Sequence, residues 1–115
     1  MNYSKKHLSE AIDIIKKIDS EKIENIVEII KQIKNKKGRI FFLGVGGSAA
    51  NCSHAVNDFR KIVGIESYAP TDNVSELTAR TNDEGWNSVF VEWLKVSKLN
   101  ENDLIFLDST SLANF

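Results

Sequence analysis

The sequence predicts an α/β domain, a parallel sheet reached through two amino-terminal helices. Three observations carry that prediction. The first 38 residues repeat apolar side chains at helical spacing between lysines and glutamates. Residues 40–43 then form a continuous apolar run with glycine close by on either side, and helical, turn-rich and apolar stretches alternate to a second run at residues 104–107. Such alternation implies parallel strands joined by right-handed crossovers, with ligands bound beyond the carboxyl ends of the strands.

In residues 3–18, Leu8, Ala11, Ile12, Ile15 and Ile18 mark one face of an amphipathic helix. Asp19 and Ser20 interrupt it with N-cap chemistry, and Ile23, Ile26, Val27, Ile30 and Ile33 draw a second stripe that Lys36, Lys37 and Gly38 close. Residues 1–38 are thus a helical segment, and the α/β domain begins at residue 39. The run 39–44, covered on both faces, is the expected central strand. Helical spacing returns over 48–62, a short strand is expected at 65–69, and a short helix at 74–80. Asn82, Asp83, Glu84 and Gly85 read as a turn or helix start, Trp86 to Val96 as the next helix, and residues 104–107 as a third, buried strand.

Composition narrows the function classes. Fifteen Lys plus Arg against sixteen Asp plus Glu leave a net charge of −1, so no global basic field exists to gather nucleic acid or an anionic membrane. No apolar run has the length of a signal peptide or a membrane span, and the expected compartment is the cytoplasm. The single cysteine, Cys52, has no partner in the chain for a disulfide, which agrees with a reducing compartment.

The chemistry concentrates where the first strand enters its helix. Phe42-Leu-Gly-Val-Gly-Gly-Ser48 lets the backbone approach a ligand, and free N–H groups at a helix start attract an anion such as phosphate. The register of glycines is not that of a dinucleotide fingerprint, and no Gly-Lys-Ser/Thr follows as in a Walker loop. His54 and Asp58, four apart on one helix face, suit a divalent metal, an acid/base pair or a plain surface contact. Cys52, small and between Ala50 and Ala55, suits packing better than reactivity. Trp86 and Trp93, seven apart, suit a core or interface, and His7 among charged neighbours suits solvent.

With these residues in view the chain resembles the SIS (sugar isomerase) family, and within it the amino-terminal part of the phosphoheptose isomerases. Gly44-Val-Gly-Gly-Ser-Ala-Ala-Asn-Cys-Ser-His54 with Asp58 is similar to the family's opening motif. Pro70 to Thr78, Asn82 to Gly85, and Asp103 to Ser111 with its Ser-Thr-Ser loop follow in the family's order. The resemblance implies a three-layer, flavodoxin-like or Rossmann-like parallel sheet. It implies a substrate pocket lined by Val45, Gly46, Gly47 and Ser48, sugar hydroxyls held by Asn82 and Asp83, and phosphate held by Ser109, Thr110 and Ser111. In zinc-containing members the positions of His54 and Asp58 are metal ligands, and the acidic one is also the proton-transfer base, so zinc is the implied cofactor.

The implied reaction is aldose–ketose isomerisation of sedoheptulose 7-phosphate through an enediol, the partner a phosphorylated sugar, and the assembly a homo-oligomer packed through the amino-terminal helices. Two departures stand against it. Asp58 replaces the usual glutamate, and after Ser111 the sequence reads Leu112-Ala-Asn-Phe115 and stops where the family continues. The expectation is therefore a partial SIS domain over residues 39–115, truncated after its third strand. A noncatalytic sugar-phosphate module and an inactive fragment are the rival readings.

Overall fold

The computed structural model describes residues 2–108. Two helices lead in. α1 (Tyr3–Lys17) is capped by Asn2, whose side chain accepts from Lys5 N, and α2 (Ser20–Asn35) by Asp19, whose carboxylate accepts from Glu21 and Lys22 N–H. These caps satisfy N–H groups that a helix start leaves free. Gly38 then turns the chain into β1 (Ile40–Leu43), packed so closely that a Cβ there would lie 1.8 Å from the Asn102 carbonyl oxygen.

The sheet is parallel and three-stranded in the order β2-β1-β3, with β2 at Ser67–Tyr68 and β3 at Leu104–Leu107. Central β1 is fully buried, as a strand paired on both sides and covered on both faces must be. Its alternate residues Ile40 and Phe42 join Ile33 of α2 and Cys52 of α3 (Gly47–Asp58) in the core, with Leu104, Phe106 and Phe59 packed against them. On the opposite pleat, Leu43 and Leu107 share a cleft with Trp86, Phe90 and Leu94 beside α5 (Val89–Val96). Helices thus lie on both faces, as the three-layer expectation requires.

Several boundaries differ from expectation for local reasons. The helix from Gly47 widens into a π-turn at Phe59–Val63 and ends on left-handed Gly64. Only Ser67 and Tyr68 of the expected 65–69 strand pair with β1. The expected 74–80 helix, α4, runs on through Val74–Glu84, so Asn82 and Asp83 lie in its last turn and not in a turn of their own. Gly85, at φ 90°, makes the turn instead, and Trp86 sits in a short 3-10 turn before α5 rather than on it.

β3, expected to be buried, alternates half-buried and exposed because among the described residues it pairs with β1 alone; Ile105 and Leu107 are 39% and 48% exposed. Along α2, Ile33 is buried and Ile30 packs against the core, whereas Ile23, Ile26 and Val27 face solvent. Ile30 and Ile33 thus pack within their own chain. In α1 no residue is buried.

Candidate functional site

The carboxyl end of β1 leads into α3 through Gly44, Val45 and Gly46. The two outer glycines do different work. Gly44 lies against α3, where a Cβ would come within 2.7 Å of the Ser48 carbonyl and 2.8 Å of the Cys52 sulfur. Gly46 adopts φ 62°, a conformation that costs an L side chain, and a Cβ at Gly46 or Gly47 would meet nothing within 4 Å. The loop is therefore pinned at one end and open to a ligand at the other. No side chain caps α3 at Gly46, which leaves the positive end of the helix for an anion. Ser48 N–H donates to Val45 O at 3.1 Å, closing the turn.

About two and three turns further on, His54 Nε2 and Asp58 Oδ2 stand 3.1 Å apart, with side chains 76% and 42% exposed. The structure thus brings these two together on one accessible face. Among the described residues no group of three or more His, Cys, Asp or Glu side chains gathers. A structural zinc wants four donors and a catalytic one three. The described residues offer two, which do not by themselves make a zinc site.

Asn82 and Asp83 are exposed at the end of α4, with Asn82 Nδ2 donating to Asp83 Oδ1 at 2.9 Å. Ser109, Thr110 and Ser111 lie outside the described residues. Cys52 is 1% exposed, and its thiol is pushed up to about 11 by burial first and then by the negative charges of Asp108 and Asp72. It is a neutral packing group beneath Gly44, not a nucleophile.

Two features escaped the sequence. Ser53 Oγ donates to Asp72 Oδ1, tying α3 to the 3-10 turn Pro70–Asp72 that follows β2. At the opposite end of the sheet, Arg39 and Asp103 form a clasp, Nη2 to Oδ2 at 2.8 Å, that fixes the start of β1 to the turn before β3. Both join residues far apart in the chain, and neither has a local signal beyond an acid next to a strand.

No family model matches the chain. Phosphoheptose isomerase of Thermodesulfovibrio yellowstonii is 33% identical over 95 residues, covering 77% of this chain and 46% of that protein. Phosphoheptose isomerase of Aneurinibacillus thermoaerophilus is 30% identical over 122 residues, covering 96% and 60%. The solved structure of phosphoheptose isomerase from Neisseria gonorrhoeae superposes with a TM-score of 0.81 at 27% identity, over 90% of this chain and 57% of that one. The chain spans about half the length of the relatives it matches. Parallel order β2-β1-β3, the glycine-led helix and these likenesses agree, and the chain is similar in sequence and in fold to the amino-terminal part of the phosphoheptose isomerases.

Proposed function

We propose that the chain forms the sugar-phosphate binding part of an isomerase that interconverts sedoheptulose 7-phosphate and D-glycero-D-manno-heptose 7-phosphate. The observation that carries the proposal is the accessible His54–Asp58 pair on the same helix whose uncapped start lies at Gly46. An anion at that start and a carboxylate further along α3 are what a phosphate anchor and a proton-transfer base require.

In this reading, Val45, Gly46, Gly47 and Ser48 line the pocket, and Ser48 with Ser109, Thr110 and Ser111 holds the phosphate. Asn82 and Asp83 hold sugar hydroxyls. The Asp58 carboxylate removes the proton beside the substrate carbonyl and returns it to the neighbouring carbon, through an enediol. His54 Nε2, 3.1 Å away, orients that carboxylate, while the proton of the neighbouring hydroxyl passes to the former carbonyl oxygen, so that the enediol closes to the isomeric carbonyl. The reading places the protein in the cytoplasm as a homo-oligomer, with residues 1–38 as the segment for contacts between copies and residues 39–115 as the partial domain.

Turnover and binding of sedoheptulose 7-phosphate measured on one sample of the chain test the proposal. Turnover with saturable binding is expected. Binding without turnover would reduce the chain to a sugar-phosphate module, and neither would remove the assignment.

A further inference from the structure

An open cleft of about 500 Å³ lies along the free edge of β2, between the end of α3, the start of α4 and Trp93 of α5, and no residue of the glycine loop lines it. One wall carries Arg60. Its guanidinium lies over the Tyr68 ring at 5.6 Å from the centroid, and Nη1 donates to Ser67 O at 3.3 Å. These contacts hold the planar group in place yet leave most of its N–H donors unused. Arg60 makes no ion pair among the described residues.

Asp72 lines the same cleft, and its carboxylate accepts a hydrogen bond from Ser53. Its carboxylate also keeps its charge unpaired by any cation among the described residues. Tyr68, Val74 and Trp93 supply apolar and aromatic surface, and Ser75 a further polar group. A cleft with a fixed cation and a fixed anion, neither paired with the other, is neutral in sum. It would repel a multiply charged phosphate at Asp72 as much as it attracted it at Arg60. A ligand carrying both charges satisfies both walls at once.

We propose that this cleft, none of whose lining residues belongs to the glycine loop, is a second small-molecule site for a zwitterion of the amino-acid class. The ligand's carboxylate pairs with the Arg60 guanidinium, in the two-pronged geometry arginine favours, and its ammonium pairs with Asp72. Its side chain lies against Tyr68 and Trp93. The inference does not depend on the isomerase reading.

The test is binding to the 115-residue chain by calorimetry and ligand-observed NMR, with L-phenylalanine as probe. Its two half-molecules, phenethylamine and hydrocinnamate, are the controls. L-phenylalanine is expected to bind saturably, and each half-molecule about tenfold or more weaker, because each forfeits one charge-assisted pair. Arg60→Gln should weaken L-phenylalanine by a similar factor while leaving phenethylamine unchanged, and Arg60→Lys should restore part of the loss. Ser53→Ala, which keeps the Asp72 charge, should retain binding. Absence of saturable L-phenylalanine binding would overturn the proposal. So would hydrocinnamate binding as tightly as L-phenylalanine, or an Arg60→Gln variant that binds like the parent.

Discussion

Replacing Asp103 by asparagine should unfasten the sheet at its amino end. The carboxylate accepts four hydrogen bonds: into Oδ1 from Arg39 N and Nε, both at 3.1 Å, and into Oδ2 from Arg39 Nη2 at 2.8 Å and Asn100 N at 3.0 Å. An amide turns one of those oxygens into a donor, so whichever way it lies, two of the four bonds become donor facing donor. The Asp103 side chain is 1% exposed and that of Arg39 20%. Breaking a fully buried pair from one side costs about 3–5 kcal/mol, and the solvent-reaching guanidinium brings the expected loss to about 2–4 kcal/mol. In a domain of this size that lowers Tm by on the order of 10–15 °C.

The same carboxyl fixes the direction of the pH effect. Burial is the largest single effect and would raise its pKa, but the hydrogen bond from Arg39, the N–H groups of Asn100 and Arg39 and the Arg39 charge together outweigh it, so the folded value lies below the usual one. The stabilisation is then complete above the unfolded carboxylate pKa and drains away as pH falls through the lower folded value. Urea unfolding of parent and Asp103→Asn at neutral and acid pH reads both effects. A difference below about 1 kcal/mol at neutral pH, or one that does not narrow in acid, would refute the clasp.

At the glycine loop, Gly44→Ala forces a methyl to 2.7 Å from the Ser48 carbonyl. It should cost about 1–3 kcal/mol in urea unfolding and weaken sugar-phosphate binding by displacing the loop. Asp58→Asn keeps shape and removes charge, so on the proposed reaction turnover is lost with binding largely kept, and near-normal turnover would exclude Asp58 as the base. Cys52, buried with its thiol at about 11, should resist iodoacetamide at pH near 8 in the folded chain and react readily in urea; equal rates would show that α3 opens easily. Light scattering at low micromolar concentration should find an oligomer, since α1 buries nothing in its own chain and Ile23, Ile26, Ile105 and Leu107 are exposed. A stable monomer would defeat that expectation.

What the sequence disclosed and what it hid divide along a physical line. β1 was legible because a strand covered on both faces needs nothing but apolar residues, and the start of α2 because Asp19 caps through groups two and three residues away. The end of α4 was not legible. Asn82 and Asp83 are poor helix formers, yet Arg80 reaches Glu76 and Glu84 one turn to either side, and Thr78 and Thr81 hydroxyls bond back to Val74 and Leu77 carbonyls. These contacts carry the helix on until Gly85 supplies a positive φ. The exposure of β3 was hidden as well, because Leu-Ile-Phe-Leu reads alike with one neighbouring strand or two.

The candidate site divides in the same way. Gly44 to Ser48, His54 and Asp58 lie on one continuous strand-turn-helix, and local spacing sufficed to place them together. Asp72 and Asp108 lie far along the chain. They converge on Cys52 only because β2 and β3 flank β1, which sets the loops after both outer strands beside the loop after the central one. Topology, not spacing, therefore surrounds the anion-seeking start of α3 with two carboxylates. A phosphate held there must draw its stabilisation from helix N–H groups and hydroxyls against that negative surround. The Ser53–Asp72 bond satisfies one of the two carboxylates from within α3 and ties the helix that carries His54 and Asp58 to the turn after β2.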